Sequence, residues 1–449
     1  MTTGNNSPDQ HHLARTLQAP PVPTADDIYY FREGTNNRLY RWLGAHPCSF
    51  STQEGQPAER GCWFAVWAPN AREVEVIGDF NGWQHGASPL NVRGDSSGIW
   101  EGFVPRATVG DCYKYRILSG ATGEWLEKGD PFGFSWEEPP RTATRIADLS
   151  HEWHDQEWMK VRAKANALDA PIAIYECHLG SWMRPGDNPQ GFLNYRDIAP
   201  KLADYVQSMG FTHVELMPIT EHPFYGSWGY QTVGYFAPTA RYGSPEDFKF
   251  FVDYLHQRGI GVILDVVYNH FYGDTDLWRF DGWSENDRGG IYFYNDERGD
   301  TPWGGRPDYG RPEVRQFILD NVAMWFAEYH IDGLRVDSTI YMRNTAGRDN
   351  DPDHDIGDAW SLLQDIVSLA HKIKPDSLII AEDSASNPQI VAPRLDGGCG
   401  FDSQWELGFP HALRAALGLS TNQPNLDGIQ YEFNHAYGSD AFARTIFSD

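Results

Sequence analysis

Between residues 63 and 118 apolar and polar positions alternate in short runs, at 63–67, 73–78, 99–104 and 113–117, separated by Gly, Asn, Asp and Pro. A period of two bounded by turn formers predicts strands with one buried face, and several at this spacing predict a small β-sandwich. Near residue 172 the texture changes. Apolar runs at 172–176, 213–217, 262–267, 333–337 and 378–382 alternate with stretches of helical period at 198–209, 245–258, 314–330 and 359–373. Runs at 401–407 and 445–448 read as strands six and seven. Such alternation predicts an α/β architecture closing as a parallel (β/α) barrel. The polar stretch 150–164, beyond Pro139-Pro140, reads as a connector, and the polar, proline-punctuated residues 1–23 as a disordered arm. The expected division is an arm over 1–25, a β-sandwich over 26–150, a connector over 151–170 and a barrel over 171–449.

Three of the apolar strands carry charge. Gly333-Leu334-Arg335-Val336-Asp337 sets an arginine and a carboxylate on one face, because strand side chains alternate. Ile379-Ile380-Ala381-Glu382 ends in a carboxylate, and Val262-Ile263-Leu264-Asp265-Val266-Val267-Tyr268-Asn269-His270 holds an Asp inside and a His beyond its end. A lone Arg-x-Asp is most often a structural ion pair, and a lone Glu after an apolar run a surface residue. Three charged strands in a row are harder to explain blandly, since buried charge is costly without a partner or a role. Carboxylates at the ends of parallel strands suit an enzyme of sugar chemistry. Asp337, two residues from a guanidinium, is expected to stay ionised, whereas Glu382, with no arginine at that spacing, is the better proton donor.

At 449 residues the chain has room for two or three domains. Its 17 Trp and 14% aromatic content are rich for a soluble protein; core filling accounts for most of them, but flat indoles also pack well on pyranose rings and fit a carbohydrate ligand. A net charge of -26 argues against nucleic acid or an anionic membrane as partner. The first residues lack the basic start and apolar core of a signal peptide, and no apolar run reaches membrane-spanning length. Five scattered cysteines form no C-x-x-C pair, so a cytoplasmic protein with reduced thiols and no zinc site is expected.

With these residues in view, the chain resembles the α-amylase superfamily of glycoside hydrolases and transglycosidases, and within it the 1,4-α-glucan (glycogen) branching enzymes. The strand motifs around Asp265, Asp337 and Glu382 carry the superfamily likeness. The branching-enzyme likeness rests on longer text: Arg38-Leu39-Tyr40 with Leu43-Gly44-Ala45-His46-Pro47, Phe64-Ala65-Val66-Trp67-Ala68-Pro69-Asn70, Tyr175-Glu176-Cys177-His178-Leu179-Gly180-Ser181-Trp182, and Ser227-Trp228-Gly229-Tyr230-Gln231. Gly78-Asp79-Phe80-Asn81-Gly82-Trp83 resembles the family's starch-binding β-sandwich module. The resemblance implies a retaining enzyme of α-1,4-glucan, with Asp337 as nucleophile and Glu382 as acid/base. It implies that Arg335 orients Asp337, that Tyr230, Asp265 and His270 line the sugar subsite, and that neither a cofactor nor a metal is needed.

Two features depart from the family pattern. Val266-Val267-Tyr268-Asn269-His270 is nearer to hydrolytic relatives, and Thr301-Pro302-Trp303-Gly304 is similar to maltooligosyltrehalose trehalohydrolases. The family's third acid, an Asp directly after a His on strand seven, would follow Phe447-Ser448-Asp449, and His435 precedes Ala. The expectation is therefore a TIM barrel incomplete at its C-terminus and inactive or nearly so. An α-glucan hydrolase and a non-catalytic glucan-binding fragment are the alternatives; oligomeric state is left open.

Overall fold

Residues 19–50, 58–186, 188–273, 276–385, 387–418, 426–434 and 445–447 are described by a computed structural model. The residues expected to form the arm up to 18, and Ser448 and Asp449 at the expected strand-seven motif, lie outside the described residues.

The alternating N-terminal segment forms two antiparallel sheets. One runs in the order Gly44–Phe50, Glu59–Trp67, Ile99–Pro105, Asn91–Val92. The other sets Cys112–Ser119 between Ala71–Gly78 and Trp125–Lys128, with Thr144–Arg145 also pairing to it. Strand Glu59–Trp67 is buried on both faces from Gly61 onward. Phe64 meets Tyr113 of the facing sheet at 5.0 Å between ring centroids, whereas Trp67 turns the other way to Phe31 and to Tyr292 of the barrel. This strand is the seam between sandwich and barrel, so its sequence is almost wholly apolar. Asn70 reinforces the seam by donating its backbone and side-chain N–H to Asp281 Oδ2, each at 2.9 Å.

Beyond it, seven strands pair side by side in chain order and all in parallel: Ile174–Cys177, His213–Leu216, Gly261–Val266, Gly333–Val336, Leu378–Ala381, Ser403–Glu406 and Thr445–Phe447. They form an incomplete TIM barrel; among the described residues no eighth strand joins the last to the first. Helices Tyr195–Met209, Pro245–Gln257, Pro312–Glu328 and Gly357–Ile373 occupy the connections where helical period was expected, with ends shifted by at most three residues. Their caps explain the limits. Ser244 accepts from Asp247 N–H ahead of Pro245, and Gly210 closes the first of them in the left-handed region.

Among the helices outside the periodic pattern are two in the N-terminal half of the chain. Ala25–Glu33, capped by Thr24, lies where an arm and the edge of the sandwich were expected. Gln156–Ala165 occupies the expected connector. Only Trp158 and Arg162 of it are buried, so apolar periodicity is too sparse to announce it. Charge anchors it instead, on the barrel floor. Asp155 Oδ2 accepts from His256 Nδ1 at 3.1 Å and from His330 Nδ1 at 2.8 Å, and the other ring nitrogen of His256 lies 2.9 Å from Asp332. Trp158 donates to Asp332 at 2.9 Å, and Arg162 pairs with Asp376 at 2.8 Å.

Candidate active site

Parallel register decides which side chains meet. Asp265 pairs with Arg335, Arg335 with Ile380 and Val336 with Ala381, so Asp337 and Glu382 emerge side by side one step past two adjacent strands. Arg335 stands between them. Its Nη1 lies 2.7 Å from both Asp265 Oδ2 and Asp337 Oδ1, and its Nη2 lies 3.1 Å from Glu382 Oε2. One guanidinium thus binds three carboxylates at the C-terminal rim. Glu382 thus has an arginine too, one that spacing along its own strand does not show, because the contact is made across strands.

The remaining expected residues close around this trio. Tyr230 O–H donates to Asp265 Oδ2 at 2.8 Å, and His270 Nε2 lies 3.0 Å from the Tyr230 carbonyl. The other ring nitrogen of His270 faces Asn269 Oδ1 at 2.6 Å. Two acceptors suit the doubly protonated ring, while burial works against the charge and lowers its pKa. All six residues expected from sequence, Asp337, Glu382, Arg335, Asp265, His270 and Tyr230, therefore share one site. Gly229 makes the Tyr230 approach possible: it sits at φ 95°, and a Cβ there would lie 2.1 Å from the Pro218 carbonyl oxygen.

Burial shapes the proton affinities. It pushes Glu382 up to about 7, with Arg335 opposing and the Asp337 charge assisting. Burial likewise raises Asp265 against Arg335. Surrounded by acids, Arg335 is held well above its ordinary value although burial disfavours its charge.

Several neighbours stand beside the six expected site residues. Asn269 Nδ2 donates to Asp337 Oδ2 at 2.6 Å. Ser338, in the left-handed region at φ 45°, directs its N–H to Glu382 Oε2 at 2.7 Å. Trp405 lies 4.3 Å from the Arg335 guanidinium, a cation–π contact. Glu215 lies on the same sheet face two residues below the Asp265 level; burial pushes it up to about 8. Trp303 overhangs the rim, 45% exposed, its ring 5.8 Å from His270 and 4.9 Å from Tyr341. Its loop is pinned by Thr301 Oγ1, which accepts from the N–H of Trp303 and of Gly304. Among the described residues no group of three or more His, Cys, Asp or Glu is arranged to hold a metal ion.

Two families match the sequence: carbohydrate-binding module 48 (isoamylase N-terminal domain) over residues 42–133, and the alpha amylase catalytic domain over residues 187–304. A 1,4-alpha-glucan branching enzyme GlgB of Albidiferax ferrireducens is 48% identical over 397 residues, spanning 86% of this chain and 61% of that protein. The protein of the same name from Rhodopirellula baltica is 43% identical over 427 residues, 90% of this chain and 54% of its own. The chain thus spans just over half the length of these curated relatives. In three dimensions it is similar to a putative alpha amylase from Salmonella typhimurium, with TM-score 0.61 and 24% identity, over 84% of this chain and 56% of that one.

Proposed function

We propose that the chain belongs to the α-amylase superfamily and carries the chemistry of a 1,4-α-glucan branching enzyme. The observation that supports this most is the single guanidinium of Arg335 bound to Asp265, Asp337 and Glu382 at the ends of three adjacent strands. We cast Asp337 as nucleophile and Glu382 as acid/base. Protonated Glu382 gives its proton to the glycosidic O4 while an Asp337 oxygen bonds C1 and the C1–O4 bond breaks, its electron pair leaving with oxygen. Glu382, now a carboxylate, takes the proton of a 6-hydroxyl on a second chain. That oxygen bonds C1 and releases Asp337, completing a retaining transfer. A proton affinity raised by burial keeps part of Glu382 protonated near neutral pH, as a general acid requires.

Asp265, Tyr230 and His270 would hold the reacting sugar, and Arg335 would orient Asp337. The β-sandwich, which we assign to residues 26–150, would hold glucan chains, with a connector over 151–170 and the catalytic barrel from 171 onward. Five buried, unpaired cysteines support a cytoplasmic setting. Among the described residues no helix is long and apolar enough to cross a membrane.

Hydrolysis is the second reading, favoured by Trp303 in its Thr301–Gly304 turn beside His270. Amylose treated with the protein separates the readings. Branching lowers iodine colour with little new reducing power, whereas hydrolysis raises reducing ends in step with colour loss. Glucan binding with neither change would leave only a binding role and overturn both.

A further inference from the structure

A second arginine binds the site from outside the reacting trio. Arg343 ends the short helix Thr339–Arg343 that follows Asp337, and it is 5% exposed. Its Nε and Nη2 grip Asp383 Oδ2 and Oδ1, each at 2.9 Å, a fork on a carboxylate with no exposed surface. Nη1 reaches Asp349 at 2.6 Å. Asp383 directly follows Glu382. Between these ends Thr339 completes the link: its N–H donates to the Glu382 carbonyl at 2.9 Å, and its hydroxyl lies 3.0 Å from that carbonyl and 3.1 Å from Asp383 Oδ2. The loop leaving Asp337 is therefore sewn to the loop carrying Glu382 at both its start and its end.

We propose that Arg343 is a positioning residue: through Asp383 and Thr339 it fixes the Glu382 carboxyl relative to Asp337 and to the oxygen it must protonate. This rests on the reading that Asp337 attacks and Glu382 supplies the proton. A buried ion pair of this kind contributes little net stability once its desolvation cost is counted, which leaves geometry as its contribution. Ser338 shows that geometry is held under strain, since a non-glycine residue is kept at φ 45° so that its N–H meets Glu382.

Leaving-group chemistry separates positioning of an acid from a general structural role. An α-maltosyl fluoride glycosylates Asp337 without a proton donor: the Asp337–C1 bond forms, C1–F breaks and fluoride departs with the electron pair. A glucan cannot dispense with the proton. In first-turnover measurements Arg343→Met should slow maltoheptaose cleavage by about a hundredfold, the scale of a misplacement near 1 Å. Fluoride release should fall by less than about threefold, because the acid is not used there. Arg343→Lys, which keeps charge without the fork, should fall between, and Thr339→Val should show the same donor discrimination should Arg343→Met not fold. Glu382→Gln is the control. If it discriminates between donors and the Arg343 and Thr339 variants do not, Arg343 has no positioning role. If Glu382→Gln itself fails to discriminate between donors, the catalytic reading falls and takes the proposal with it.

Discussion

Asn269 Nδ2 lies 2.6 Å from Asp337 Oδ2, so the oxygen that Arg335 leaves free already has a donor. Both carboxylate oxygens are held, and the attacking lone pair is aimed by two neighbours on different strands. Asn269→Ala should lower kcat by about tenfold to a hundredfold, the scale of one hydrogen bond to a charged group, with maltooligosaccharide affinity little changed. Asn269→Asp should be worse, since it sets a second carboxylate against the first. Steady-state kinetics on amylose decide it; equal losses in kcat and affinity would reassign Asn269 to sugar binding.

The pH dependence of cleavage should follow Glu382. Its carboxyl is raised by burial from 4.5 to about 7, so the proton it donates is lost as pH climbs through that value. First-turnover glucan cleavage should fall on the alkaline side of about 7, while release from a glycosyl fluoride should show no such limb. For stability the same shift acts in the same direction. A raised carboxyl contributes fully below its ordinary 4.5, and that contribution is lost as pH rises through the folded value.

The floor network makes the opposite demand on its acids. Side-chain bonds to His256 and His330 hold Asp155 below the ordinary carboxylate range against burial, and the His256 charge does the same for Asp332; the two acids in turn raise His256. The depressed acids stabilise above their unfolded pKa of 3.8 and lose this as pH falls; the raised histidine stabilises below 6.5 and loses this as pH rises through its folded value. His256→Ala, which leaves two buried carboxylates short of their cation, should cost about 3–5 kcal/mol near pH 6 by urea denaturation, and less near pH 9. A cost independent of pH would mean that His256 is held there by packing alone.

Trp303 offers a sugar an indole already fixed in place. Trp303→Ala should weaken maltooligosaccharide binding by about 1 kcal/mol, read by calorimetry on the Asp337→Asn protein, and Trp303→Phe by about half of that. An unchanged affinity would separate Trp303 from the bound glucan.

What could be read from the chain was what lies along one strand. Arg335 and Asp337 share a face by alternation, and Asp265 and Glu382 stand out as charges in apolar runs. Glu215, in His213-Val214-Glu215-Leu216, obeys the same rule and passed unnoticed because no motif surrounds it. The Arg335–Glu382 contact was illegible, since it depends on the register that sets Arg335 beside Ile380, 45 positions later in the chain, and sequence carries no marker of that alignment. The helix Gln156–Ala165 escaped for a different reason: it docks through Arg162 and the charges around Asp155, and a search for apolar period does not see it. The left-handed backbone of Ser338 is imposed by Glu382 and the loop, and serine itself gives no hint of it.

Arg335 shared among Asp265, Asp337 and Glu382 means that no acid of the three can be altered alone. The negative charge of Asp337 is part of what keeps the proton on Glu382. Neutralise it, as in Asp337→Asn, and the guanidinium is released toward Glu382, which then gives up its proton more readily. The usual inactive variant for trapping a bound glucan would therefore carry a different ionisation pattern from the working protein. A pH titration of Glu382 in that variant would measure a weaker base than the one that meets the substrate.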